Sequence, residues 1–193
     1  MTRDEVYALL PEMMWIEDQP LREKCADVWV EALEESGWLK HGLDKMPIVI
    51  KGLPLDCPDN NNLKHTRAVA RMSVKIYDES AEFYPEAGVC ERDVIIAGAL
   101  LHDVGKHFEY AYVDGQAVAA TESVPGAQMF THPYIGAQLI RKHGLPSKVE
   151  HAVLAHSDMM SPGGSAAYQT RESLIVKYAD CLCFFYLLKH YGS

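Results

Sequence analysis

The chain lacks the features that define several large protein classes. Its net charge is −9 with histidine counted as neutral, which argues against the broad basic surface that binds duplex nucleic acid or anionic membranes. Its apolar stretches fall short of the roughly 18 to 20 residues that a membrane span needs. The N-terminus, Met-Thr-Arg-Asp-Glu, lacks the basic segment followed by an apolar segment that marks a secretory signal. We therefore expect a soluble, cytoplasmic protein.

Several catalytic and structural motifs are missing as well. The sequence contains no Gly-x-Ser-x-Gly, P-loop or Gly-x-Gly-x-x-Gly pattern, which argues against serine hydrolases and the common nucleotide-binding folds. The five cysteines are odd in number and scattered, and they fit neither a disulfide framework nor a zinc ribbon. Internal repeats and breaks in composition are also absent, so residues 1–193 are expected to form a single domain.

Hydrophobic periodicity predicts an all-α protein. Long helices are expected over 3–16, where Pro11 interrupts the pattern, and over 20–38, 63–83, 91–104 and about 170–189, with shorter ones starting at His132 and near Pro146. Asn62 is a predicted N-cap, and Gly105 is predicted to end a helix in a left-handed turn. An Asp-Gly pair between β-prone runs predicts at most one small hairpin near 109–120.

The stretch from Ala97 to Lys106 is where chemistry is expected. An apolar run ends there in two adjacent residues of metal-ligand type, His102 and Asp103. A helix that is apolar on all sides is buried, so the terminal His-Asp pair needs strong partners to offset its desolvation. A metal cation is the partner that fits best.

Other predicted helices also carry a histidine or a carboxylate on an apolar face. These residues are His65, His132, His156 and Asp180, whereas His151 lies off its helix's apolar stripe and is predicted to be solvated. Together with His102 and Asp103 they supply four imidazoles and two carboxylates. That set suits two divalent transition-metal ions (Fe, Mn, Co, Ni or Zn) better than Mg or Ca. Asp103 has two oxygens with which it could bridge two ions.

The order of these residues resembles the HD-domain superfamily, whose signature is a His, a His-Asp pair and a distant C-terminal Asp on a helical scaffold. The similarity runs from His65 through Ala-Gly-Ala-Leu-Leu-His-Asp-Val-Gly-Lys to Lys-Tyr-Ala-Asp at 177–180. It implies an HD-domain helical bundle with a metal-binding core over 60–190 and an N-terminal helical extension over 1–45.

The resemblance also implies how the ligands divide. His65, His102, Asp103 and Asp180 would hold the first ion. His132 and His156 look like the extra histidines of dinuclear members and would hold the second ion, with Asp103 as the bridge. The implied activity is metal-dependent hydrolysis of a small phosphoester or nucleotide by a metal-activated water.

Two basic residues are candidates for contacting a phosphorylated substrate. Lys106 follows Asp103 by three residues and is placed to reach a phosphate, although a lysine there would also interact with a helix C-terminus. With Asp103 it makes up the predicted catalytic pair. Arg67 lies just beyond His65 and is a second candidate for substrate binding, with a solvated surface position as the alternative. The expected partner is a small phosphorylated molecule, and homo-oligomerisation stays open.

Parts of the sequence are similar to one branch of the superfamily and depart from it elsewhere. The His132-Pro-Tyr-Ile-Gly segment and Gly-Leu-Pro at 144–146 look like parts of the HD-GYP cyclic-dinucleotide phosphodiesterases. The paired histidines expected at 155 and 156 are Ala155-His156, and no Gly-Tyr-Pro follows. This argues against hydrolysis of cyclic di-GMP.

Two other functions share the ligand order. HD-type mixed-valence diiron oxygenases, which cleave C–C or C–P bonds with O₂, use the same succession of His, His-Asp, His, His and Asp. A regulatory or binding module with an inactive site is the third hypothesis. The ligand motif does not separate the hydrolase from the oxygenase.

Overall fold

The structure, a computed structural model, describes residues 1–87, 90–120, 131–157 and 170–191. In these ranges the regular secondary structure is helical apart from one two-stranded sheet, which confirms the predicted fold class. The α-helices are α1 (Arg3–Leu9), α2 (Gln19–Ser36), α3 (Asn62–Phe83), α4 (Arg92–Leu101), α5 (Lys106–Glu109), α6 (His132–Lys142), α7 (Ser147–Ala155) and α8 (Arg171–Tyr191). Short 3-10 turns cover Pro11–Trp15, Trp38–Lys40, Leu43–Lys45 and Pro85–Ala87.

Local sequence signals account for several helix ends. Pro11 separates α1 from a 3-10 turn as expected, because proline cannot donate the backbone hydrogen bond that would continue the helix. The predicted N-cap of α3, Asn62, is wrong by one residue. The side chain of Asn61 accepts the hydrogen bond from the backbone N–H of Lys64 at 2.7 Å. Asn62 is instead the first residue of the helix, and its side chain is buried in the protein interior.

Helix α4 is the buried centre of the fold. All residues from Val94 to Leu101 are buried, and the helix packs against α2, α3, α7 and α8. Gly98 permits this close packing, because a Cβ added there would lie 2.9 Å from the Cβ of Ala152. Burial of apolar side chains is the main favourable term in folding. The buried helix therefore fixes the position of His102 and Asp103, which directly follow its last residue.

The turn after α4 brings another helix unusually close. Gly105 has a φ of −66°, so the predicted left-handed turn is wrong. The reason for glycine is a close approach: a Cβ there would lie 2.1 Å from the carbonyl oxygen of His132 and 2.8 Å from the backbone nitrogen of Gly136. The missing side chain lets α6, which begins with His132, lie directly against the turn that carries Asp103.

The expected hairpin is present as β1 (Tyr110–Val113) and β2 (Gln116–Ala119), which pair antiparallel with Tyr110 opposite Ala119. Asp114 and Gly115 form its turn with φ values of 48° and 89°, the positive angles that a two-residue hairpin turn favours. A small second core of Trp38, Met46, Tyr110 and Ala117 packs the hairpin against the N-terminal segment.

Candidate metal centre

The His-Asp pair lies in the turn that follows α4. His102 and Asp103 are both buried, and the turn over 102–105 leads directly into α5. The indole N–H of Trp29 donates to the carbonyl oxygen of Leu100 at 2.9 Å and ties the end of α4 to α2. The apolar run therefore delivers both side chains to one buried place, as the sequence indicates.

One group of possible ligands combines three helical segments. The Nε2 atom of His65, on α3, lies 2.9 Å from Oδ1 of Asp180, on α8, and 3.3 Å from Nε2 of His102. His102 Nε2 is 3.8 Å from the same Asp180 oxygen. Three donor atoms of metal-ligand type thus converge from segments that are far apart in the sequence.

A second group lies beside the first. His132, at the start of α6, and His156, directly after α7, bring their Nε2 atoms within 3.3 Å of each other. The Oδ1 atom of Asp103 lies 3.4 Å from Nε2 of His132 and 3.6 Å from Nε2 of His156. These three side chains form the second candidate ligand set.

Asp103 faces both groups with different oxygens. While Oδ1 faces His132 and His156, Oδ2 lies 3.4 Å from Nε2 of His102 and 3.7 Å from Nε2 of His65. The carboxylate is therefore positioned between two pairs of histidines. All six residues predicted as metal ligands meet in this cluster.

The hydrogen bonds of three histidines leave unpaired nitrogen lone pairs in the interior. The Nδ1 atoms of His102 and His156 lie 2.7 Å and 2.6 Å from the carbonyl oxygens of Ala99 and Val153. The Nδ1 atom of His132 lies 2.7 Å from Oε2 of Glu109. Because these oxygens only accept, each Nδ1 carries a proton, and the Nε2 that faces the cluster offers a lone pair whenever the ring is neutral.

This arrangement fits a cation. Two unprotonated Nε2 atoms 3.3 Å apart, as in His132 and His156, cannot bond each other. Buried polar atoms without partners are costly, whereas a metal ion between such nitrogens would use both lone pairs. Histidine ligands in metal sites commonly donate their other ring N–H to a carboxylate or a carbonyl. HD domains bind divalent metals, and the donor set present here is suited to them.

Burial and neighbouring charge set the protonation of the cluster. Burial lowers the pKa of His132 to about 4, although the hydrogen bond to Glu109 raises it in part. Burial also lowers the pKa of His65. Burial alone would raise the pKa of Asp103, but the charge of Lys106 and then that of His102 hold it well below its usual range. A metal ion requires ionised carboxylates and neutral imidazoles as ligands, and the lowered pKa values of Asp103, His65 and His132 favour these states.

The two predicted substrate-binding residues have different surroundings. Lys106 is nearly buried, and its Nζ lies 2.7 Å from Oδ2 of Asp103, so it borders the cluster. Arg67 instead donates three hydrogen bonds to the buried Glu12, from Nε at 2.9 and 3.2 Å and from Nη2 at 3.1 Å. Its role toward a substrate stays a prediction, and the structure adds a role in anchoring α3 to the Pro11–Trp15 turn.

Two residues that border the cluster were missed by sequence reasoning. Glu109 binds the ring of His132, and the Nδ2 of Asn62 donates to Oδ2 of Asp103 at 3.3 Å. Glu109 lies in a short helix and Asn62 in a polar run, and nothing in the neighbouring sequence indicates that either residue contacts a candidate metal ligand. Only the three-dimensional packing brings them to the site.

Comparisons with known proteins agree with this geometry. The family model described as HD domain matches residues 62–184, a range that contains all six candidate ligands. Ribonuclease Y from Cutibacterium acnes (strain DSM 16379 / KPA171202) is 26% identical to the chain over 163 residues, which are 84% of the chain and 24% of that relative. The chain therefore spans about a quarter of the length of this curated relative.

One further comparison and one structural finding complete the description of the chain. No solved structure matches it. Among the described residues, no helix has both the length and the apolar character required to cross a membrane. Because the HD domain model covers well over half of the chain and includes the His65, His102-Asp103 and Asp180 signature, this chain belongs to the HD domain family.

Proposed function

We propose that the protein is a metal-dependent phosphohydrolase that uses a dinuclear centre to hydrolyse a small phosphoester or nucleotide. The observation that carries this proposal is the position of Asp103, whose two carboxylate oxygens face two separate histidine pairs. Such a carboxylate is suited to bridge two ions. Two divalent ions would lower the pKa of a water molecule and stabilise negative charge on the phosphoryl oxygens.

Each ion would have its own set of ligands from this chain. His65, His102 and Asp180 would hold one ion with Oδ2 of Asp103, and His132 and His156 would hold the other with Oδ1. Glu109 keeps the proton on Nδ1 of His132, so that Nε2 stays available as a ligand.

Lys106 supplies positive charge at the edge of the centre. Its ammonium group already lies 2.7 Å from Asp103, and it has three N–H donors. We assign it to binding a phosphoryl oxygen, where it would stabilise the charge that develops as the ester bond breaks. The similarity to a protein named ribonuclease Y supports chemistry at a phosphoester.

The alternative is a mixed-valence diiron oxygenase. Four imidazoles and two carboxylates are suited to iron as well as to manganese or zinc. The ligand set therefore supports either water activation or O₂ activation, and the hydrolase is favoured by the ribonuclease similarity and by the lysine beside Asp103.

Anaerobic purification followed by metal analysis tests the proposal. We expect about two divalent ions per chain, no mixed-valence signal in electron paramagnetic resonance, and phosphate release from a panel of phosphomonoesters and nucleotides. Two irons with a mixed-valence signal and O₂ uptake would reject the hydrolase in favour of the oxygenase. A protein that binds no metal tightly would instead be a regulatory or binding module.

A further inference from the structure

A cleft between α3 and α8 adjoins the candidate metal centre. Its volume is about 360 Å³, which lies within the range of small-molecule sites. His65 forms part of its wall, and Leu182 and Tyr186 are exposed beside it, so the cleft is open to solvent. The residues that line it are Asp59, Lys64, His65, Ala68, Met72, Leu182, Cys183, Tyr186 and Leu187.

The walls of the cleft continue the helix faces that carry two of the candidate ligands. Ala68 and Met72 follow His65 by three and seven residues on α3, and Cys183 and Leu187 follow Asp180 by the same steps on α8. Residues at these spacings lie on one face of a helix. A molecule that contacts the metal centre from this side would therefore rest on both walls.

The surface of the cleft is mostly apolar. Alanine, methionine, leucine and cysteine side chains form most of it, and the charged groups of Asp59 and Lys64 pair with each other. Asp59 also accepts a hydrogen bond from the hydroxyl of Tyr191 at 2.6 Å. The donors and acceptors of a nucleobase that faced this apolar wall would lose their hydrogen bonds to water without gaining protein partners, which is costly, whereas a hydrocarbon group has none to satisfy.

We propose that this cleft binds the hydrocarbon part of the substrate, so that the preferred substrate is a phosphomonoester of an aliphatic alcohol. The inference rests on the proposed phosphohydrolase function, because it places the phosphoryl group at the metal centre and the chain along Ala68, Met72 and Leu187. Tyr186 and Leu187 lie beyond residue 184, where the family match ends. The family model therefore does not describe this end of the α8 wall, although it does cover Leu182 and Cys183.

Binding of n-alkylphosphonates, which cannot be hydrolysed, tests the cleft without turnover. Calorimetry in the presence of Mn²⁺ would compare methyl- through pentylphosphonate. Each methylene that leaves water should lower Kd by about fourfold. In Ala68→Phe, which fills the cleft from an exposed position, the Kd of pentylphosphonate should return to that of methylphosphonate. Ala81→Phe, at an exposed site of α3 that does not line the cleft, should keep the wild-type gradient.

The outcomes separate this inference from the proposed function. If all phosphonates bind the wild-type protein equally well, the cleft does not hold the chain and the inference is wrong, while the phosphohydrolase proposal stands. If affinity rises with chain length but no phosphoester of any kind is hydrolysed, the cleft binds the chain while the proposed function fails, and the substrate assignment fails with it. Absence of binding at every length rejects the inference, and the phosphoester panel then decides the proposed function by itself. A dimer in sedimentation that Ala68→Phe dissociates, without any chain-length gradient, would assign the cleft to a second copy and reject the inference.

Discussion

Glu109 contacts His132 at two points. Its Oε2 atom lies 2.7 Å from the ring Nδ1 and 3.1 Å from the backbone nitrogen of the same residue. One carboxylate therefore orients the imidazole and also holds the first residue of α6. Burial raises the pKa of Glu109, but the hydrogen bonds from the ring and backbone of His132 and the nearby charge of Lys106 together outweigh burial, so the pKa is lowered and the group stays ionised.

Replacing Glu109 should weaken metal binding without removing a ligand. In Glu109→Ala the ring of His132 loses its orientation and its fixed tautomer, and outer partners of this kind are worth about 10- to 100-fold in metal affinity. Competition with a chromophoric chelator measures this directly. Glu79→Ala, at an exposed position on α3, is the matched control and should bind metal like the wild-type protein. Equal affinities in both variants would show that Glu109 has no such role.

Asp103 should be indispensable to the centre. Asp103→Ala removes the carboxylate that faces both histidine pairs, so elemental analysis should find no tightly bound metal. His151→Ala removes an imidazole that belongs to neither ligand group, and this variant should retain the full metal content. Equal metal content in the two variants would reject the ligand assignment.

Lys106 should affect turnover more than metal binding. Lys106→Gln keeps a polar side chain but removes the charge, and a hydrogen bond to a charged group is worth about 1.5–3 kcal/mol. We therefore expect kcat/KM for a phosphoester to fall about 10- to 100-fold, with the metal content unchanged. Lys51→Gln, at an exposed position, serves as the control. Loss of metal from the Lys106 variant would indicate that this lysine supports the ligands instead.

The buried carboxylate of Glu12 should make folding stability depend on pH. Burial raises its pKa, but the hydrogen bond from Arg67 and further contacts outweigh burial, so the folded-state pKa lies below 4.5. Its contribution to stability is therefore present at neutral pH and is lost as the pH falls through the folded-state pKa.

A charge-removing variant isolates this contribution. Glu12→Gln should lower the free energy of unfolding by about 1–2 kcal/mol at pH 7, because both arginines that it binds are partly exposed. Urea unfolding measured between pH 7 and pH 3 should show the two proteins converging below pH 4.5. Glu17→Gln, at an exposed position, should track the wild-type curve. A gap that stays constant over the whole range would contradict the assignment.

The fold was predictable wherever a local pattern specifies a local structure. Pro11 ends α1, Pro133 lies in the first turn of α6, and Asp114-Gly115 forms the hairpin turn, because each restricts the backbone at its own position. The six clustered side chains were also predictable, since a histidine or carboxylate on an apolar helix face is costly without a partner.

What the sequence did not reveal depends on contacts between distant segments. Gly105 matched a helix-ending glycine by its position, but its role is to admit the backbone of His132, which lies 27 residues further on. Glu109 and Asn62 are polar residues in polar surroundings, and only packing turns them toward the cluster. The pairing of Arg67 with Glu12 likewise joins elements that no periodicity relates.

Two tryptophan hydrogen bonds tie the segment that carries Asp103 to the part of the chain before residue 62. Trp29 donates to the carbonyl of Leu100, and Trp38 donates to the carbonyl of Tyr110 at 3.2 Å, so the indoles bracket the segment with Asp103 between them. Both tryptophans precede residue 62, where the family match begins. A chain cut to the matched range would leave both carbonyls without their tryptophan donors, so we expect residues 1–61 to contribute to the stability of the segment that carries Asp103.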